Sequence, residues 1–83
     1  MVSIEIGEGA LKDLKKIDQV ISKRVVSKII WLQHNFASVF PDRLHHELRE
    51  LYKLRIGDYR AIYSIHHDHI VIEAVKHRRE AYK

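Results

Sequence analysis

Twelve residues, YKLRIGDYRAIY from Tyr52 to Tyr63, constrain the fold of this chain more than any other stretch. Ile-Gly-Asp-Tyr at their centre reads as a two-residue hairpin loop, because Gly57 supplies the positive φ that a primed turn needs at its first central position. With Gly57 and Asp58 as the loop, Ile56 pairs with Tyr59, Arg55 with Arg60, Leu54 with Ala61, Lys53 with Ile62 and Tyr52 with Tyr63. Side chains alternate faces along a strand. One face then holds Tyr52, Leu54, Ile56, Tyr59, Ala61, Tyr63 and Ile65, a coherent core surface. The other holds Lys53, Arg55, Arg60, Ile62 and Ser64. A slip of one residue would exchange the two sets, so the apolar pattern supports the register independently of the turn. That register sets two arginines directly opposite each other, an arrangement that destabilises a sheet.

The remaining segments read around this hairpin. Val2 to Ile6 alternates as a half-buried strand, which Gly7 and Gly9 end. Ala10, Leu11, Leu14 and Ile17 follow at helical spacing, with Lys12, Lys15 and Lys16 on the other side. Asp18 is placed to cap a second helix with Ile21, Val25, Ile29, Leu32 and Phe36 along one stripe, widened by Val26 and Ile30. Trp31 in that helix is expected in the core or in helix packing rather than as a nucleotide platform. Pro41 interrupts the irregular stretch after it, where Phe40, Leu44 and Leu48 are expected to pin the chain to the core. Leu51–Ile56, Tyr59–His66 and His69–Lys76 are strand-like and precede a short basic tail. The order β-α-α-β-β-β is that of one α+β domain over residues 1–83, with a helical hairpin packed on one face of a small, mainly antiparallel sheet.

Composition narrows the function classes. The chain has 83 residues, room for one modest core, and its lack of cysteine excludes a disulfide framework and a thiolate zinc site. No apolar run resembles a signal peptide or a membrane span, so a soluble, cytoplasmic protein is expected. The formal charge is +4, and its placement is uneven. Residues 1–42 carry six basic and five acidic groups, whereas residues 43–83 carry nine and six. A cationic C-terminal half points to a polyanionic partner.

The second hairpin, closed at His67-Asp68, would add Ile70, Ile72 and Ala74 to the core face and Val71, Glu73, Val75 and His77 to the other. Lys53, Arg55, Arg60, His77, Arg78 and Tyr82 then surround one concavity on the open face. A solvated face that simply carries charge is the plain alternative. The opposed arginines weigh against it, since a phosphate between them would convert repulsion into charge-assisted, bidentate contacts.

LYKLRIGDYRAIYSI and, near the end, IVIEAVKHRREAY resemble the RelE/ParE superfamily of toxins from type II toxin–antitoxin systems. The likeness extends over the whole β-α-α-β-β-β order and is most specific in residues 51–82. RelE-type members are ribosome-dependent endoribonucleases that cut mRNA in the A site, whereas ParE-type members share the fold and poison DNA gyrase. The resemblance to RelE-type enzymes implies a site of Lys53 and Arg55 before the turn, Arg60 after it, and Arg78 and Tyr82 at the end, with Arg79 as a further RNA contact. His77 adds an imidazole beside them, Arg55 stands where lysine is common, and the Arg78–Tyr82 spacing is short.

The implied chemistry uses no metal or cofactor: the 2′-OH of mRNA attacks the adjacent phosphate and leaves a 2′,3′-cyclic phosphate and a 5′-OH. Arg60, helped by Arg55, would stabilise the charge gathering on the phosphoryl oxygens, and Arg78 the leaving group. Lys53 is the candidate base, since like-charged neighbours favour the neutral amine. Tyr82 would stack on a base or handle a proton, and the imidazole of His77 suits acid–base work. The implied partners are a cognate antitoxin, acidic or amphipathic, and the ribosome with its mRNA, with operator DNA bound through the antitoxin. A ParE-like gyrase inhibitor and a catalytically silent binding domain are the alternatives. The histidines of HHDH (His66 to His69) and the pair His45-His46 are set aside as metal ligands, as their facing is mixed.

Overall fold

The computed structural model describes residues 2–44 and 49–81. Strand β1 (Ser3–Ile6) leads into helix α1 (Glu8–Lys16) and helix α2 (Gln19–Asn35). A single 3-10 turn, Phe36–Ser38, follows, then a two-residue strand β2 (Asp42–Arg43). Strands β3 (Tyr52–Ile56), β4 (Tyr59–His66) and β5 (His69–His77) form a meander, and a single helical turn, α3 (Arg78–Ala81), ends the described chain. The sheet order is β1-β5-β4-β3-β2, antiparallel except where β1 runs parallel to β5. The expected α+β architecture is present, with β2 and α3 added to it.

This topology explains why both helices share one face. β1 and β2 lie on opposite edges, so the connection must cross four inter-strand gaps, about 19 Å. The seventeen residues of α2 span about 25 Å, enough for that crossing. Asp18 caps α2 as expected, its Oδ2 accepting the Val20 N–H at 3.1 Å. Between helices and sheet lies a core of Ala10, Leu14, Val25, Ile29, Leu32, Ala61, Tyr63, Ile70, Ile72 and Val75, with Tyr52, Leu54, Ile56 and Tyr59 packed on it.

The first hairpin has the register read from the sequence, from Ile56↔Tyr59 through Arg55↔Arg60 to Tyr52↔Tyr63, and Gly57 has φ +58°. The second departs from it. His67-Asp68 closes the turn and pairing runs regularly to Tyr63↔Ile72, but the next pair is Ile62↔Ala74. Glu73 is the extra residue of a β-bulge, and every later side chain changes face. Val75, expected outside, is buried opposite Ala61, while Ala74 leaves the core. His77 joins Tyr59 on the helix-covered side, and Lys76 takes the position across from Arg60. The larger side chain occupies the core, which favours the bulge over the regular strand.

Four apolar expectations are corrected. Phe40 is 96% exposed, since the chain leaves the 3-10 turn extended and alternation turns Val39 inward instead. Ile30 and Trp31 lie on the outer side of α2, whose buried Val25, Ile29 and Leu32 are flanked by half-buried Ile21, Val26 and Phe36, as expected. Leu11 is likewise exposed. Gly9 belongs to α1 rather than to the end of β1. Among the described residues, no helix is long and apolar enough to cross a membrane.

Candidate functional site

The cations of β3 and β4 gather where the first hairpin turns. Arg55 and Arg60 form the pair next to the one that closes the loop. In an antiparallel hairpin that pair is of the non-hydrogen-bonded kind, which brings side chains closest. Arg55 is exposed, whereas Arg60 is only 7% exposed on the middle strand. Lys53 is half-buried, two residues back along β3, and lies across from Asp42 of β2.

Arg78 reaches the same place from the chain's end. Its backbone N–H donates to the Asp58 carbonyl at 2.7 Å, and its Nη1 lies 3.8 Å from Asp58 Oδ1. The turn between the arginines is thus also the anchor of Arg78. His77 sets the entry to α3 through a reciprocal cap. Its Nδ1 accepts the Arg79 N–H at 3.2 Å, while its own N–H donates to Glu80 Oε1 at 3.3 Å. The His77 ring meets Tyr59 edge-on, centroids 5.2 Å apart. His77 therefore lies on the opposite face of the sheet from Arg60, because the bulge reversed its facing. With Nδ1 accepting, the neutral ring carries its proton on Nε2. Arg79 is exposed. Tyr82, Leu48 and the His45-His46 pair lie outside the described residues.

The face away from the helices is less open and less uniformly basic than its sequence suggests. Ile62 and Ser64 are buried there along with Arg60. Ser64 Oγ donates to Glu73 Oε2 at 2.7 Å, and Arg49 Nη2 lies 3.3 Å from the same oxygen. His66 Nε2 completes this group, 3.0 Å from Ser64 Oγ. Lys76 Nζ is 3.2 Å from Asp13 Oδ1, and Asp13 Oδ2 accepts the Val75 N–H at 2.9 Å. Asp13, Lys76 and Arg49 are the residues that the strand patterns missed. Asp13 lies in a helix whose pattern gives no hint of a sheet partner, and Lys76 needed the bulge, whose one trace in the sequence is the adjacent Ala74-Val75.

The remaining histidines diverge. His69 Nδ1 is 2.8 Å from Ser3 Oγ and its Nε2 is 3.2 Å from Glu5 Oε1. His67 carries the positive φ of its turn. Trp31 presents a ring face to Lys28, whose Nζ lies 3.8 Å from the ring centroid. Chemically, the hairpin end offers several fixed cations of which two are held in register by backbone pairing, an arrangement suited to a phosphodiester.

Known proteins share this fold. The profile of the ParE toxin of the parDE type II toxin–antitoxin system matches residues 4–82. The toxin–antitoxin complex RelBE2 from Mycobacterium tuberculosis contains a chain 30% identical to this one. That superposition has a TM-score of 0.79 and covers 93% of this chain and 98% of the other. The archaeal RelE–RelB complex from Pyrococcus horikoshii OT3 superposes at 24% identity and TM-score 0.72, over 93% and 94% of the two chains. The YoeB dimer from Staphylococcus aureus does so at 23% and 0.70, over 92% and 95%. These last two likenesses concern the fold. No curated protein sequence matches the chain.

Proposed function

The chain belongs to the ParE toxin family of type II toxin–antitoxin systems, and from that premise we propose that it is a cytoplasmic, ribosome-dependent endoribonuclease that cuts mRNA in the A site. One observation carries this reading: Arg55 stands opposite Arg60 beside a turn to which Arg78 is tied by a 2.7 Å hydrogen bond. A pair that weakens the sheet is retained next to the turn that anchors Arg78. Gyrase binding would need no such pairing of cations.

In the proposed reaction the 2′-oxygen forms a bond to phosphorus while the bond from phosphorus to the 5′-oxygen breaks. Lys53 acts as the general base that takes the proton of the 2′-OH. Arg60, sheltered from water and so acting in a lower local dielectric, stabilises the charge on the phosphoryl oxygens with Arg55. Arg78 faces the departing 5′-oxygen, and Tyr82 supplies its proton. His77 acts through the cap that seats Arg78, with its Nε2–H as a second donor. Arg79 contacts the RNA backbone. The ribosome holds the mRNA in the attack geometry, a contribution that such a small site lacks. A cognate antitoxin blocks the activity, as the relatives found in complex with RelB suggest.

The test is cleavage of mRNA on programmed ribosomes. The wild type is expected to leave a 2′,3′-cyclic phosphate, and Arg60→Ala to lower the rate by about 100-fold or more, the cost of one transition-state donor. Cleavage that survives the combined loss of Arg60, Arg78 and Tyr82 would overturn the site. The second reading, a gyrase inhibitor, is favoured by the ParE description of the matching profile. Trapped gyrase–DNA complexes without mRNA cleavage would establish it.

A further inference from the structure

We propose that Lys76 is an additional phosphate-binding residue of this site, kept at the sheet edge by Asp13 until RNA arrives. The proposal rests on the nuclease reading for its substrate and on the strand register for its geometry.

The bulge at Glu73 brings Lys76 directly across from Arg60, which itself faces Arg55. The three strands are adjacent, so Arg55, Arg60 and Lys76 form a transverse row of cations on one face, about 10 Å long. A regular β5 would have placed Val75 there instead. Two successive like-charged pairs across three strands cost stability.

Asp13 offsets part of that cost. β1 stops pairing at Ile72, leaving the next edge groups of β5 open, and the Asp13 carboxylate fills the gap. Oδ2 takes the Val75 N–H at 2.9 Å and Oδ1 lies 3.2 Å from Lys76 Nζ. The two oxygens therefore do different things. The first satisfies a backbone donor and is fixed. The second holds a side chain that remains 38% exposed, in a part-buried ion pair whose Asp13 side chain is 15% exposed. A phosphodiester at Arg55 and Arg60 competes with Asp13 for that ammonium. Lys76 then turns from the edge toward the row.

Binding of a fluorescent, non-cleavable 2′-O-methyl oligoribonucleotide to the full chain tests this directly. Lys76→Ala is expected to bind several-fold more weakly, with the slope of log K against log salt shallower by about 0.7, one phosphate contact on a single strand. Asp13→Asn keeps an oxygen for the Val75 N–H and removes the charge, so it should bind more tightly than wild type. That gain should vanish in the Asp13→Asn/Lys76→Ala double variant, and Lys76→Arg should restore the slope. Arg24→Ala, a charge loss on α2, should leave the slope near the wild-type value. Thermal melts run alongside identify any variant that fails to fold. An unchanged slope in folded Lys76→Ala overturns the proposal, as does a gain in Asp13→Asn that persists without Lys76. Ribosomal cleavage measured in parallel separates the two readings: Lys76-dependent binding without cleavage removes the nuclease and leaves the phosphate ligand.

Discussion

Two turns of the sheet meet the same backbone demand with different residues. Gly57 has φ +58° and His67 has φ +57°. A side chain in the left-handed region costs about 1–2 kcal/mol, and only glycine avoids it. His67→Gly should therefore stabilise the fold by about 0.5–1 kcal/mol after the extra chain entropy of glycine is subtracted. A higher urea midpoint at unchanged slope is the check. Gly57→Ala should cost a similar amount although a Cβ there meets nothing within 4 Å, since its penalty is purely conformational. Tyr63 provides a pH signature. Burial, with smaller contributions from Asp42 and Tyr52, pushes its hydroxyl up to about 12 from its ordinary value of 10.0. The folded state thus holds the proton longer than the unfolded chain, so this stabilisation is complete below pH 10 and is lost as pH rises toward 12. Urea unfolding between pH 9 and 11 should show Tyr63→Phe falling less steeply with pH than the wild type.

Among the elements, the decisive contact is α1 against the bulged part of β5. A Cβ on Gly7 would lie 2.9 Å from the Ile72 carbonyl oxygen, and one on Gly9 would lie 2.9 Å from that of Glu73. Both neighbours are backbone and cannot swing aside. Gly9→Ala is expected to cost about 1–3 kcal/mol, as overpacking does, against the gain in helix propensity that alanine brings elsewhere. Thermal unfolding measures it. The first hairpin carries the opposite trade. Arg55→Thr removes one of two opposed charges and puts a β-branched residue in a strand, so stability should rise by about 0.2–1 kcal/mol. Cleavage on ribosomes should fall in the same variant. A rise in stability with undiminished cleavage would leave the pair without a role in the site.

At the scale of the whole molecule, the surplus of base lies in the C-terminal half, where β3, β4, β5 and α3 converge. Each of several cations there has a carboxylate nearby: Arg49 has Glu73, Lys76 has Asp13 and Arg78 has Asp58. This local compensation keeps the face from repelling itself, and in the proposed reading RNA phosphate exchanges for these carboxylates. Affinity for RNA should accordingly decline steeply with salt, in a linear log–log relation.

The sequence alone was sufficient for whatever depends on neighbours in the chain. The glycine at the turn, the alternation of Tyr52 to Ile65 and the Asp18 cap are local, and each specifies its element and its facing without reference to the rest. The order of elements, the opposed arginines and the family resemblance follow from them. Tertiary packing decided what those patterns leave degenerate. Whether Ala74 or Val75 entered the core depended on the space beneath α1, and a single extra residue at Glu73 then exchanged Val75 for Lys76 across from Arg60. Asp13 meets Val75 and Lys76 across a separation of more than sixty residues. Strand periodicity has no memory of such a partner: it records which way a side chain points, while the bulge and the ion pair arise only when helix and sheet compete for the same volume.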